Sequence, residues 1–254
     1  MDVTIYRGFA SVYDALQDVD YEQWADRLDG VLRAYANETH PVRQVLDLAC
    51  GTGAVTIPMA KRGYRMEGID RSEEMLAVAG QKAGALSPAI RPQFYAMDMR
   101  SFALRNRYDA ILSICDGGNY LLTDEDMQAM LRTAAEHLRA KGLFLLDMSS
   151  RYKLEEVIGD RTIAESYDGG AFLWENEIDR DAHRLSFQLT LFQRIDGSDR
   201  FERHIEYHEQ RGYGAEELVA LASPWLECIA ILDGESFEEA NSESERLLWI
   251  LQRR

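Results

Sequence analysis

Cysteine is scarce in this sequence, and its few positions carry no pairing pattern. The 254 residues include three cysteines, Cys50, Cys115 and Cys228. They form no C-x-x-C pair, which excludes the usual spacing of a zinc site. Because a sparse, odd set of cysteines is typical of a reducing compartment, we expect a cytoplasmic protein without a structural metal.

Long apolar runs are also missing. No stretch approaches the roughly 18 consecutive apolar residues that a membrane-spanning helix needs. The first residues, among them Asp2 and Arg7, form no apolar signal segment. The sequence therefore predicts neither a membrane span nor a secretory signal.

Positive charge is in deficit. The chain has 28 Lys and Arg residues against 44 Asp and Glu residues, which gives a formal net charge of −16. Nucleic-acid-binding surfaces gain affinity when Lys and Arg release counterions from phosphates, so this balance disfavours a nucleic-acid partner. We attribute most of the excess acid to solubility. The length suffices for one domain with an insertion.

Strand and helix patterns alternate through the first 150 residues. A long helical pattern covers residues 5–36, and Ser72 is expected to cap a later helix. Thr123 and Asp126 resemble a capping box for the next helix, which should end at Gly142. Apolar strands are predicted near residues 44–49, 65–70, 93–97, 109–114 and 143–148. This alternation indicates an α/β fold with a doubly wound, Rossmann-like sheet.

The periodicity changes after residue 150. Four amphipathic strands are predicted over residues 162–167, 172–178, 184–195 and 201–207, with turn sequences between them. A helix over residues 215–221 and strands near residues 228–232 and 247–251 follow. We therefore divide the chain into a core, residues 1–150 and 214–254, and an inserted antiparallel β segment, residues 151–213.

A glycine-containing turn follows the first predicted strand. The strand carries Asp47 and is followed by Gly51 and Gly53, which allow a sharp turn and close approach of a ligand to the backbone. The anionic Asp47 suits a ligand with positive charge better than a pyrophosphate. Thr56 stands where a dinucleotide fingerprint needs a third glycine or small residue, and no P-loop Gly-Lys-Ser/Thr follows.

These residues resemble the first motif of the class I S-adenosylmethionine-dependent methyltransferases, with Ala49 in place of its usual first glycine. The segment from Gly68 to Leu76 is similar to the G-x-D-x-S-x-x-M-L segment of the same family. The resemblance implies a seven-stranded sheet whose last strand is antiparallel, and S-adenosylmethionine as the cofactor. It implies a cofactor site formed by Asp47, Gly51, Gly53, Asp70, Arg71, Met75, Asp98, Met99, Cys115 and Tyr13.

Asp70, at the end of the second predicted strand, is placed to accept hydrogen bonds from both hydroxyls of a ribose. Its alternative role is to begin the cap of the next helix. In the family, the position of Asp98 binds the adenine amino group. The segment around Cys115 is where the transferred methyl should lie, and it lacks the prolines of the DNA, protein-amide and cytosine enzymes. Those absences favour a small-molecule acceptor.

Tyr13 lies in a segment that resembles the F-A-x-x-Y-D entry of many small-molecule members. It is expected either to close over the cofactor as a catalytic residue or to pack in an aromatic core. Members with a β insertion, such as glycine and amino-sugar N-methyltransferases, place it over the active-site mouth. Here His204 and His208 share one strand face with Glu206 and Gln210.

The two histidines are our candidate catalytic residues on this predicted lid. We expect the alternating apolar residues Ile205 and Tyr207 to pack, and the histidine face to look into a cavity and recognise the acceptor. A solvated edge strand is the alternative. His204 and His208 lack a clear third ligand, so no metal is predicted.

Together these features predict S-adenosylmethionine-dependent methyl transfer to a nitrogen or oxygen of a small molecule by a monomer or homodimer. Two alternatives stay open at this point. One is a non-catalytic S-adenosylmethionine-binding module, and the other is an NAD-type oxidoreductase of the same fold class.

Overall fold

The computed structural model describes residues 19–36, 41–167, 169–195 and 198–254. Tyr13 lies outside the described residues. Of the helical pattern over residues 5–36, the described part is a helix that begins at Tyr21, where Asp20 accepts a hydrogen bond from the Gln23 amide at 2.9 Å.

Eleven strands and five α-helices form within these residues. The strands are β1 Gln44–Leu48, β2 Arg65–Asp70, β3 Gln93–Ala96, β4 Tyr108–Ser113, β5 Leu138–Ser149, β6 Thr162–Tyr167, β7 Gly170–Asp179, β8 Arg184–Arg194, β9 Phe201–Arg211, β10 Leu226–Asp233 and β11 Arg246–Arg253. The helices are α1 Tyr21–Tyr35, α2 Thr56–Lys61, α3 Glu73–Gly84, α4 Asp124–His137 and α5 Ala215–Ala222.

The larger sheet has seven strands in the order β10-β11-β5-β4-β1-β2-β3. Its strands are parallel except β11, which runs antiparallel between β5 and β10. This confirms the predicted seven-stranded sheet with an antiparallel last strand. Helices cover both faces, α4 and α5 on one side and α1 and α2 on the other. Because both faces are buried, the central strands are apolar on nearly every residue.

The predicted caps of α3 and α4 are confirmed. The Ser72 hydroxyl accepts a hydrogen bond from the Met75 amide at 3.1 Å, and Thr123 accepts one from the Asp126 amide at 3.2 Å. The cap of α3 fixes the start of that helix directly after β2. It therefore also fixes where Asp70 emerges from the sheet.

The predicted end of α4 is wrong. The helix stops at His137, and β5 begins at Leu138, which is fully buried and pairs with Tyr108 of β4. Strand pairing therefore overrides the helical spacing of the apolar residues. Gly142 lies inside β5, where a Cβ would approach the carbonyl oxygen of Arg139 to 2.9 Å.

A second, antiparallel sheet has the order β6-β7-β8-β9. It follows a single π-helical turn, Lys153–Ile158, whose Leu154 packs with Leu185 in a small core under one face of the sheet. The packing on this sheet is the reverse of our expectation. Glu206 and His208 are buried, whereas Ile205 and Tyr207 are 39% and 69% exposed. The polar side chains are buried because they have hydrogen-bonding partners there, described below.

Candidate active site

A cleft of about 450 Å³ opens at the carboxyl ends of β1, β2 and β4, the usual ligand position in a doubly wound sheet. Most of the predicted cofactor residues line it. They are Asp47, Gly51, Asp70, Arg71, Met75, Asp98, Met99 and Cys115. Gly53 is not part of the lining, and its role is in packing. A Cβ there would lie 3.2 Å from the Phe94 ring, and its φ of +73° favours glycine.

Asp47 is a buried carboxylate at the floor of the cleft. The Thr56 hydroxyl donates a hydrogen bond to it at 2.5 Å. Burial raises the pKa of Asp47 to about 7, Thr56 opposes the rise, and the nearby charge of Asp70 adds to it. A buried carboxylate whose charged form is disfavoured in this way is a favourable place for a ligand cation.

Asp70 lines the cleft and also anchors the glycine turn. Its carboxylate accepts hydrogen bonds from the Gly51 amide at 2.8 Å and from the Ser72 amide at 2.9 Å. Burial raises the pKa of Asp70, and these backbone amides oppose the rise. The two roles predicted for Asp70 are therefore compatible, because each carboxylate oxygen can accept more than one hydrogen bond.

Asp98 is held by arginine. The Arg100 guanidinium donates to both of its oxygens, at 3.0 Å and 2.7 Å, and also reaches Asp126 at 2.8 Å. Hydrogen bonding to Arg100 lowers the pKa of Asp98. The carboxylate therefore remains ionised at neutral pH, with its orientation fixed at the edge of the cleft.

The loop after β4 has an unusual backbone, since Cys115 and Asp116 both adopt positive φ angles of 63° and 68°. A buried ion cluster holds it there. Asp147 of β5 accepts a hydrogen bond from the Cys115 amide at 2.8 Å, and Arg246 of β11 pairs with both Asp147 and Asp116. Burial raises the pKa of Asp147. At Asp116 burial acts in the same direction, but the charges of Arg246 and Lys153, together with hydrogen bonds from Arg246 and Ser149, lower that pKa overall.

The loop after β4 also touches the glycine turn. A Cβ on Gly117 would lie 2.7 Å from the Cβ of Ala49, so only glycine permits this approach. Residues Gly117–Tyr120 then form a 3₁₀ turn. Through this contact, the region expected to hold the transferred methyl adjoins the region expected to hold the cofactor.

The far end of the cleft is lined by residues that the sequence analysis did not single out. Tyr21 comes from α1, Tyr120 from the 3₁₀ turn, and Arg184 and Glu209 from the second sheet. Tyr120 was identifiable, since it lies five residues after Cys115 in the segment that follows the fourth strand. Arg184 and Glu209 lie on the face of the second sheet opposite to that of His208. The alternation of polar and apolar residues along these strands does not show which face meets the cleft, so it could not identify these two residues.

The structure does not place the two candidate histidines at the cleft surface, where we expected them. Neither His204 nor His208 is among the described residues that line the cleft. His204 is half-buried, with its Nε2 3.9 Å from a Glu202 oxygen. The Nδ1 atom of His208 lies 3.0 Å from the Tyr120 hydroxyl, so His208 is one hydrogen bond behind the cleft wall.

Within the described residues, no three His, Cys, Asp or Glu side chains are grouped closely enough to hold a metal ion. None of the helices in those residues is both long and apolar enough to cross a membrane.

Comparison with known proteins places these features among methyltransferases. A family model described as a methyltransferase domain matches residues 45–142. The chain is 31% identical over 252 residues to the putative methyltransferase YqeM of Bacillus subtilis (strain 168), covering 98% of this chain and 97% of that protein.

A solved crystal structure and a more distant relative that resemble this chain are also methyltransferases. An S-adenosylmethionine-dependent methyltransferase from Clostridium acetobutylicum ATCC 824 superposes with a TM-score of 0.86 at 26% identity, covering 98% of both chains. The dTDP-4-amino-2,3,4,6-tetradeoxy-D-glucose N,N-dimethyltransferase of Saccharopolyspora spinosa is 25% identical over 138 residues, covering 54% of this chain and 53% of that protein.

Proposed function

Because this chain belongs to the S-adenosylmethionine-dependent methyltransferases, we propose that it methylates a nitrogen or oxygen of a small molecule, with nitrogen favoured. The continuous cleft carries this proposal, since it runs from the glycine turn to polar groups of the second sheet. The Saccharopolyspora spinosa relative, which is an amino-sugar N,N-dimethyltransferase, supports nitrogen. Glu209 at the far end can accept a hydrogen bond from the N–H of a neutral amine.

The cofactor region fits S-adenosylmethionine. We propose that Asp47 faces the positively charged part of the cofactor, that Asp70 binds the ribose hydroxyls, and that Asp98 and Met99 contact the adenine. Cys115 would lie beside the methyl group, and Gly51, Arg71 and Met75 would complete the wall. The raised pKa of the buried Asp47 supports this fit, because a bound cation would stabilise its charged form.

S-adenosylmethionine brings a methyl group already activated on a sulfonium, so the main task of this protein is alignment. Orientation of the reacting groups can lower the activation free energy by as much as ~7–11 kcal/mol. We propose that residues 151–213 form a lid on the core, and that Tyr120, Arg184 and Glu209 orient the acceptor. Within that lid, we propose that His208 acts on the acceptor through Tyr120, to which it is connected by a hydrogen bond. His204 stays a proposed acceptor-recognition residue.

Calorimetric titration tests the proposed function first at the cofactor. S-adenosylmethionine and S-adenosylhomocysteine are expected to bind with one site per chain, and NAD is expected not to bind. Methyl transfer is then measured against a panel of glycine, sarcosine, dTDP-amino sugars and matched hydroxyl compounds. Preferential binding of NAD would refute the cofactor assignment, and transfer to hydroxyl compounds alone would refute the preference for nitrogen.

The affinity for S-adenosylhomocysteine should depend on pH through Asp47. Since the pKa of Asp47 is raised to about 7, its carboxyl group is increasingly protonated below that pH and loses its attraction for the ligand ammonium. The dissociation constant should therefore rise about tenfold between pH 8 and pH 6. Calorimetry at pH 6 in buffers of different ionisation enthalpy should show release of close to one proton.

Two variants control this pH experiment. Asp47→Asn should bind more weakly at pH 8 and show little pH dependence. Asp98→Asn should keep the wild-type dependence, because Arg100 lowers the pKa of Asp98 out of this range. A pH dependence that persists unchanged in Asp47→Asn would show that another group titrates.

We also propose a cytoplasmic location and a monomeric or homodimeric state. The described cysteines are all free thiols, which suits a reducing compartment. Fractionation of cells and sedimentation of the purified chain test these two points.

A further inference from the structure

A buried chain of hydrogen bonds runs from the second sheet to the wall of the cleft. Glu206 and His208 lie two residues apart on β9, and a Glu206 oxygen is 3.2 Å from His208 Nε2. On the other side of the ring, His208 Nδ1 is 3.0 Å from the Tyr120 hydroxyl. Glu206 and His208 are 8% and 4% exposed, whereas Tyr120 lines the cleft.

The charge of Glu206 determines which ring nitrogen of His208 carries a proton. An ionised carboxylate can only accept, so His208 Nε2 must be the donor to it. In the neutral imidazole, Nδ1 is then an acceptor, and the Tyr120 hydroxyl donates to it. A phenol is both a donor and an acceptor, so its oxygen can also accept a hydrogen bond while its proton is donated to Nδ1.

The neighbouring residues hold this chain of side chains in place. The Phe187 ring of β8 stacks on the His208 imidazole at a centroid distance of 4.6 Å. The Tyr120 ring contacts the same imidazole edge-on, at a centroid distance of 5.9 Å. The buried Asn119 amide ties the 3₁₀ turn to both sheets, because it donates to the carbonyl oxygens of Ser149 at 3.0 Å and Arg211 at 2.9 Å. The titratable groups Glu206 and Tyr120 therefore face the imidazole from two different elements.

We propose that Tyr120 accepts the proton of the methyl acceptor, that His208 takes the phenolic proton in turn, and that Glu206 is a positioning residue that fixes the tautomer of the imidazole. The proposal rests on the proposed function, since it needs an acceptor with an N–H or O–H bond. It deepens that function by assigning a proton route. The geometry follows the logic of a catalytic triad, with a phenol in the place of the serine hydroxyl.

An amine acceptor loses one proton for each methyl group that it gains. The nitrogen lone pair forms the new N–C bond while the C–S bond breaks, and the electron pair of that bond goes to sulfur. The nitrogen, now positively charged, gives its proton to the Tyr120 oxygen, and the phenolic proton moves to His208 Nδ1. The resulting imidazolium is stabilised by Glu206 and later releases its proton to water.

The tautomer of His208 tests the proposal without any acceptor. Long-range ¹H–¹⁵N NMR of the histidine-labelled chain, saturated with S-adenosylhomocysteine, should show His208 protonated at Nε2. Tyr120→Phe should shift the Nδ1 resonance of His208. Tyr207 is an exposed tyrosine on β9, the strand of His208, and Tyr207→Phe should leave that resonance unchanged. Protonation at Nδ1 in the wild type would overturn the relay, because the phenol could not then pass its proton to the ring.

Kinetics test the same relay with whichever amine of the panel is methylated. Tyr120→Phe should lower kcat at least tenfold, within the range for general base catalysis, with the S-adenosylhomocysteine dissociation constant changed less than twofold. Glu206→Gln should shift the pH profile of kcat, whereas Glu177→Gln, which changes an exposed carboxylate on β7 of the same sheet, should not. Wild-type kcat and pH profile in Tyr120→Phe would refute the relay.

The two proposals fail differently. If the wild type methylates no compound of the panel, the proposed acceptor class is wrong, and the tautomer measurement still decides the relay. A lower melting temperature with an unchanged pH profile in Tyr120→Phe and Glu206→Gln would mean that the chain of hydrogen bonds is only structural, which also refutes the relay.

Discussion

Arg246→Met is expected to lower the free energy of unfolding by about 3–5 kcal/mol, the usual cost of removing one partner from a buried ion pair. Arg246 is the cation between two acidic side chains, and the Asp147 side chain is completely buried. Without the arginine, Asp147 and Asp116 repel each other in a poorly solvated site. Urea unfolding monitored by circular dichroism measures the loss.

Two comparisons make this result interpretable. Arg33→Met removes an exposed pair with Asp29, four residues earlier on α1, and should leave the unfolding free energy nearly unchanged, because solvent screens such pairs. Adding Asp147→Asn to Arg246→Met should recover part of the loss, since the amide oxygen can still accept from the Cys115 amide. A loss no larger for Arg246→Met than for Arg33→Met would contradict the buried cluster.

Asp70→Ala is expected to weaken S-adenosylhomocysteine binding at least tenfold. Hydrogen bonds to a charged group contribute roughly 1.5–3 kcal/mol each, and Asp70 is proposed to make two with the ribose. The substitution also removes the carboxylate that accepts from the Gly51 amide, so part of the loss would come from a less ordered glycine turn. Calorimetry of the purified variant measures the affinity.

Glu73→Ala is the matched control for Asp70, because Glu73 is an exposed carboxylate in the first turn of α3. It should leave the affinity unchanged. Melting of both variants without ligand separates binding from folding. Unchanged affinity in Asp70→Ala, together with a lower melting temperature, would restrict Asp70 to its structural role in the turn.

The cofactor side of the site was predictable because its residues are close together in the sequence. Asp47 and the glycines belong to one strand and turn, and Asp70 directly follows the next strand, so local pattern fixes their place. Ser72 and Thr123 were predictable as caps for the same reason. Each depends on hydrogen bonds that span only three residues.

The acceptor side depends on contacts between distant parts of the chain. Arg246 is 130 residues from Asp116, and Tyr120 meets His208 across 88 residues. No local spacing signals such pairs. The reversed burial of β9 has the same origin, since the alternation defines two faces but only the packed structure decides which one is covered. At Leu138, strand pairing with Tyr108 likewise prevailed over helical periodicity.

The insertion of β11 between β5 and β10 links the assembly of the sheet to the shape of the cleft. The left-handed turn at Cys115 and Asp116 is held by a guanidinium that arrives only with this strand. Contacts between distant segments form late, because the entropy of closing the intervening loop must first be overcome. A partly folded chain whose β11 has not yet docked therefore lacks the Arg246 contacts of this loop and keeps only its hydrogen bonds with β5. Docking of β11 therefore completes both the central sheet and the set of contacts that hold the loop beside the cleft.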